Sequence, residues 1–280
     1  MCMGFGCNAA GVTGCRIIDS PRERLIAILT NNFVPCNGRF PTLIAILSMF
    51  FVCNFGILQS ITAAGLLTLI ILTGIFMTLL MSFLLSKTLL KGIPSSFTLE
   101  LPPYRRPQVR KVLVRSIFDR TLFVLRRAVV VAAPAGIIIW ALANVMVGDQ
   151  SLLTIFSDFL DPFARLMGLD GVILLAFIIG MPANEIVVPI IIMSYMNSNS
   201  IFELNDLDTL KNLLVDNGWD WITAVCVMLF SLMHWPCATT ILTIRKETQS
   251  LKWTAAAFII PTVCGIFICI GFNFIFTVVL

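Results

Sequence analysis

The sequence predicts an all-α, polytopic helical membrane protein with broken or re-entrant helices and an internal repeat. Three observations lead there. Of the 280 residues 58% are hydrophobic and 12% charged, and the mean hydropathy is +0.97, values foreign to a soluble domain. Charge-free runs cover Pro41–Ser86, Ala128–Gly148, Ile186–Phe202, Trp221–Ile244 and Trp253–Leu280, and a helical span needs about 20 apolar residues. Proline or glycine beside a polar residue interrupts the apolar segments, and there a helix loses a backbone donor and frees nearby carbonyls for a ligand.

Residues 1–40 open with a Gly- and Cys-rich stretch and a polar segment, Arg16–Arg24, that cannot span by itself. Residues 41–86 read as a transmembrane helical hairpin turning around Asn54, Gly56 and Gln59. Residues 87–127 carry ten Lys and Arg against Glu100 and Asp119, so the positive-inside rule makes this linker cytoplasmic. Within it Leu101-Pro102-Pro103-Tyr104 is extended, and Val109, Val112, Leu113, Ser116 and Ile117 line one face of an amphipathic helix expected to lie on the inner surface.

Residues 128–280 begin with a membrane helix over 128–147, bent at Pro134 and Gly136, followed by an interfacial stretch to 170. Gly171–Met196 is interrupted at Gly180-Met181-Pro182-Ala183-Asn184-Glu185, and either crosses or dips in and returns, because the acidic stretch after it carries little topological weight. Ile222–Trp235 ends at Pro236-Cys237 and continues to Ile244. The basic turn Arg245-Lys246-Glu247-Thr248 and a last helix, Trp253–Leu280, follow. The basic stretches at 16–24, 87–127 and 245–246 fit one orientation.

Nine cysteines lie in apolar segments without paired spacing, which predicts reduced thiols. Cys53, Cys226, Cys264 and Cys269 sit inside uninterrupted apolar runs and read as packing residues, and Cys2 and Cys15 have no motif. Cys7, Cys36 and Cys237 differ, each abutting a proline or polar residue at a break. Thiols with a carboxylate or imidazole nearby suit a borderline transition metal better than sodium or magnesium. Glu185 is the lone carboxylate of an apolar span, which demands a role or a partner such as Arg39, and Asn184 beside it offers a carbonyl. His234 is the single histidine, three residues before Cys237 with Pro236 between them. Its ordinary role would be a hydrogen-bonded packing residue, and its other role a ligand. Met181 and Met233 flank breaks as soft donors or as fillers. Cys7-Asn8, Thr13, Arg16 and Glu23 run parallel to Cys237-Ala238, Thr243, Arg245 and Glu247, the trace of the repeat.

Through Gly4-Phe5-Gly6-Cys7-Asn8, Val34-Pro35-Cys36-Asn37-Gly38-Arg39-Phe40-Pro41 and Pro236-Cys237-Ala238-Thr239-Thr240, followed by Arg245-Lys246-Glu247-Thr248 and Lys252-Trp253, the chain resembles the ferrous iron transport protein B family over nearly its whole length. The resemblance implies a multi-pass inner-membrane permease with gate-type repeats that passes Fe(II) as the transported ion, with Cys7, Cys36, Cys237 and Glu185 on the ion path. It implies that residues 1–40 close a truncated first gate repeat and that 128–280 hold the second. No G-x-x-x-x-G-K-[ST] stretch occurs in these residues, so the GTP-binding domain or subunit is expected elsewhere, the chain being the C-terminal part. Membrane lipid is the other expected partner, a homo-oligomer stays open, and neither enzymatic nor nucleic-acid chemistry is expected. The rival readings are a gate-domain permease for a nucleoside-like solute and a non-transporting membrane scaffold.

Overall fold

A computed structural model describes residues 2–52, 59–91, 123–147, 150–196 and 207–279, with residues 108, 110 and 114 between them. The Asn54–Gly56 turn, Cys53, the Leu101–Tyr104 stretch, most of the expected amphipathic helix and the acidic residues Glu203 and Asp206 lie outside them. The regular secondary structure of the described residues is helical apart from one two-residue antiparallel ladder, β1 (Met146–Val147) with β2 (Gln150–Ser151).

The helices are α1 (Asn8–Gly14), α2 (Pro21–Thr30), α3 (Phe40–Leu47), α4 (Gln59–Lys87), α5 (Phe123–Asn144), α6 (Leu152–Leu166), α7 (Gly171–Ile179), α8 (Val187–Tyr195), α9 (Leu207–Asp216), α10 (Trp221–Met233), α11 (Ala238–Thr248) and α12 (Leu251–Val279). Local chemistry starts several of them. Ser20 accepts from the Glu23 amide with Pro21 in the first turn of α2, and Ser151, Asp170 and Asp220 do the same for α6, α7 and α10. Pro134 does not end α5, which runs on through it.

Among the described residues four spans are long and apolar enough to cross a membrane, Pro21–Phe51, Ser60–Lys87, Trp221–Thr248 and Leu251–Thr277, with a fifth if the sharply bent α6–α7 pair counts as one. The first begins inside the polar segment that the sequence suggested could not span. Its cations work at the end of the span: Arg22 donates to the Leu90 and Ser86 carbonyls at the end of α4, and Arg24 to Ile18. Two spans are single continuous helices (α4, α12), the second running on through Pro261. The other two are broken, and Cys36 is the central residue of Pro21–Phe51, while the centre of Trp221–Thr248 falls between His234 and Trp235. In an apolar 18-residue stretch of each, the broken spans have 56% and 61% of their residues buried, against 17% and 22% for the continuous ones. The interrupted helices therefore form the core and the continuous ones shield it.

The α7–α8 segment is a hairpin. Tyr195, at the end of α8, donates to Asp170 at the start of α7, and Trp219 donates to the Tyr195 hydroxyl at 2.8 Å. The nine residues of α7 rise about 14 Å, roughly half of the ~30 Å hydrocarbon core. Neither arm alone is long enough to cross. Gly168, in a left-handed conformation (φ 72°), makes the tight turn between α6 and α7, which cross at 108°. Phe177 of α7 packs edge-on against Phe230 of α10 at 5.0 Å, so the hairpin touches the broken span there.

At the opposite face the basic stretches at 16–24 and 245–246 meet, beside the end of α4. Arg16 pairs with Glu247 at 2.6 Å, and Arg22 reaches the end of α4. The helices α1 and α11, which follow the repeated Cys motifs, pack together. Thr13 and Thr243, each six residues after its cysteine, back-bond to the carbonyl four residues earlier at 3.0 and 2.8 Å.

The continuous helices touch the breaks through glycine. A side chain at Gly74 of α4 would begin 2.8 Å from the Phe33 carbonyl oxygen, and one at Gly265 of α12 would begin 3.2 Å from that of Met233. Gly74→Val should lower stability by about 1–3 kcal/mol, the usual cost of overpacking, whereas Gly65→Val, on the same helix with open space around it, should change little. Thermal unfolding in detergent compares the two.

Candidate functional site

Four interruptions converge. The Asn37 amide donates to Gly6 O at 3.4 Å, joining the Cys36 break to the Cys7 motif, and Ala238 N donates to Met181 O at 3.0 Å, joining the Cys237 break to the hairpin tip. Asn32 Nδ2 donates to His234 O at 2.7 Å, joining the two broken spans. A side chain at Gly38 would begin 3.3 Å from Glu185 Oε1, so the carboxylate lies directly over the Cys36 break.

Each predicted cysteine holds the same structural position. Cys7 precedes α1, Cys36 precedes the Asn37–Arg39 turn, and Cys237 precedes α11, all with extended backbone and none using its sulfur to cap the backbone. This is the place where serine, threonine or aspartate normally caps. The uncapped sulfurs are left for other work. All three residues are half-buried. Cys237 Sγ lies 3.0 and 3.1 Å from the hydroxyls of Thr239 and Thr240. Cys226 and Cys269, by contrast, are fully buried, and Met233 packs with Phe33, Met77 and Leu232.

His234 is buried, with Nδ1 2.9 Å from Ser231 O and 3.2 Å from Phe230 O. Two carbonyls at Nδ1 place the proton there and leave the Nε2 lone pair to face Asn184, whose side-chain oxygen is assigned 3.4 Å away. A ring nitrogen fixed by a backbone carbonyl is the usual way a ligating histidine presents its other nitrogen. His234 and Cys237 do not share a helix face: His234 ends α10 and Cys237 starts α11. Asn184 is buried at the hairpin tip, while Glu185 next to it is exposed.

Glu185 does not pair with Arg39. The Arg39 guanidinium is 1% exposed and donates to Asn32 O at 2.9 Å, Leu232 O at 2.8 Å, Asn32 Oδ1 at 3.2 Å and His234 O at 3.4 Å. Both Cys36 and Cys237 lie within its electrostatic range. A ladder of buried amides leads on from it: Asn8 Nδ2 donates to Asn32 Oδ1 at 3.4 Å and Asn31 Nδ2 to Asn8 O at 2.9 Å. Asn8 Oδ1, Asn31 Oδ1, Arg39 Nε and Trp235 Nε1 are buried without partners. The sequence reading passed over this ladder. Its signal was the Asn31-Asn32 pair in an apolar stretch, since buried amides in a membrane need partners.

Among the described residues no three His, Cys, Asp or Glu side chains gather closely enough to hold a metal ion. The thiols do not form a closed shell. The arrangement has an exposed carboxylate and half-buried thiols on the outside, and a buried histidine, amides and main-chain carbonyls beneath.

A family model described as the ferrous iron transport protein B C terminus matches residues 67–119, and one described as Gate, nucleoside recognition, matches residues 125–251. An Fe(2+) transporter FeoB of Staphylococcus aureus (strain MSSA476) is 32% identical over 274 residues, which are 94% of this chain and 38% of that protein. One from Methanocaldococcus jannaschii is 27% identical over 92% of this chain and 38% of its own length. An Fe(2+) transport protein A/Fe(2+) transporter FeoB fusion protein of Porphyromonas gingivalis is 25% identical, covering 92% and 35%. The chain thus spans well under half the length of the curated relatives it matches. No solved structure matches it.

Proposed function

Because the chain is related over most of its length to the membrane part of the ferrous iron transport protein B family, we propose that it forms the ion path of a ferrous iron uptake system. One observation carries this reading: helix interruptions bearing Cys7, Cys36, Cys237 and Glu185 meet at the centre of the buried spans. Broken helices meeting at mid-depth are where transporters bind their substrates.

In this reading Glu185 collects the divalent ion at the exposed rim. The thiols of Cys36 and Cys237 then take it in series, with Asn184 and the Nε2 of His234 beneath and Cys7 beyond Asn37. Sulfur and imidazole favour ferrous iron over sodium and magnesium, whose hydration suits oxygen alone. The basic face is cytoplasmic by the positive-inside rule, and the membrane is the inner one. The chain acts as a permease, not an enzyme. A GTP-binding domain or subunit drives its opening, and a partner like the fused Fe(2+) transport protein A of the Porphyromonas relative is consistent with regulation from that face.

The nucleoside reading, suggested by the description of the gate model, requires an accessible aromatic platform. Trp235, the aromatic residue of the breaks, is buried and stacked on Phe258 at 5.8 Å. That favours the metal. The test is anaerobic reconstitution in liposomes, with the chain alone and with the GTP-binding part of a relative added. Ferrous iron should enter above empty liposomes, faster with the added part and GTP, and labelled uridine should not. Uridine entry without iron entry would overturn the proposal.

A further inference from the structure

Among the described residues, Arg39 is the only Lys, Arg, Asp or Glu side chain that is buried. An ion taken out of water costs several kcal/mol unless it is paired, yet no carboxylate stands at ion-pair distance from this one. Four oxygens stand in its place: Asn32 O, Asn32 Oδ1, Leu232 O and His234 O. They come from the ends of two half-helices, the Asn31–Phe33 turn closing α2 and the last turn of α10. Carbonyl ends of helices carry the negative half of the helix dipole, and unwound carbonyls of this kind hold cations in transporters. Only the terminal nitrogens of the guanidinium bond to them, and among the described residues its Nε has no partner.

We propose that these four oxygens are a cation site and that Arg39 is its tethered occupant, a built-in cation that fills the cage and blocks the route between the Cys36 and Cys237 breaks. A divalent ion enters the cage when the guanidinium leaves it. The alternative is that Arg39 is simply a staple between two helix ends. A staple needs its covalent stem, whereas a cage responds to any cation of suitable size.

The test uses the purified chain in detergent. Arg39→Ala should melt below the parent and regain several degrees on addition of millimolar guanidinium chloride or of manganese chloride, an air-stable divalent probe, while the parent does not respond. Adding Asn32→Ala, which removes one of the four oxygens, should abolish the manganese response. No response of Arg39→Ala to either cation, or an equal response of the parent, overturns the proposal. Should Arg39→Ala not purify folded, Arg39→Met keeps the packing of the stem and takes its place. Should neither fold, guanidinium chloride present during extraction must recover folded protein, and failure to do so overturns the cage.

The blocking role rests on the transport reading above and is measured separately. In liposomes Arg39→Ala should admit manganese several-fold faster than the parent, and guanidinium should close that leak. Cation responses in detergent without a leak would keep the site and remove it from the transport path.

Discussion

Replacing Cys36 and Cys237 together with serine should reduce ferrous iron uptake by about 10- to 100-fold, the range that follows loss of ligand-shell groups at metal sites. The same change should leave the melting temperature unchanged or slightly higher. Both residues occupy helix-start positions without capping the backbone, and serine is a preferred residue there. A structural role for the thiols predicts the opposite sign on stability. Uptake and thermal unfolding measured on one preparation therefore separate ligation from packing. Uptake at the parental level would return both thiols to packing and remove the observation on which the transport reading stands.

Gly171→Ala should produce the largest loss of stability, about 3 kcal/mol, the upper end of ordinary overpacking. A Cβ there would overlap the Ser157 carbonyl and crowd the Asp161 amide, so the clash is with main chain, which cannot rotate away. Gly171 also receives support from Asp161, whose carboxylate accepts its amide at 3.1 Å. This is the base of the hairpin. Displacing it should move the tip bearing Asn184 and Glu185, so uptake should fall with stability. Gly65→Ala, with nothing around its Cβ position, is the control, and an equal melting temperature for the two variants would show that α6 and α7 do not meet as described.

The breaks were legible in the sequence because proline and glycine act locally: Pro35, Pro182 and Pro236 mark interruptions whatever surrounds them. What the broken ends do with their freed carbonyls was not legible. That depends on contacts between residues about 200 positions apart, such as Asn32 to His234 and Arg39 to Leu232. Arg39 accordingly suggested itself as a partner for Glu185, the nearest opposite charge by type, whereas it caps helix ends and leaves Glu185 exposed. The hairpin of α7 and α8 was open for a related reason. Hydropathy measures apolar length and not direction, and the deciding contact is Tyr195 with Asp170 across the open end. The sequence placed the first membrane helix from residue 41, whereas the apolar helical stretch runs from Pro21, with Arg22 and Arg24 bonded to carbonyls at its end.

The contrast between continuous and broken spans bears on how the chain is made. The continuous spans have a mean hydropathy of 2.4 each, the broken ones 1.2 and 1.7. Partition from the insertion machinery into lipid follows hydropathy, so Ser60–Lys87 and Leu251–Thr277 can enter by themselves. Pro21–Phe51 is the poorest candidate for release into lipid, and it emerges from the ribosome before the helix that shelters it. Its buried guanidinium finds two of its four oxygens, those of Leu232 and His234, only after α10 has been synthesised, some 190 residues later. The interior contacts of this segment with α10 are therefore complete only when the second half of the chain has been made. The contacts that join the two broken spans thus form late in synthesis, when most of the chain has already been made.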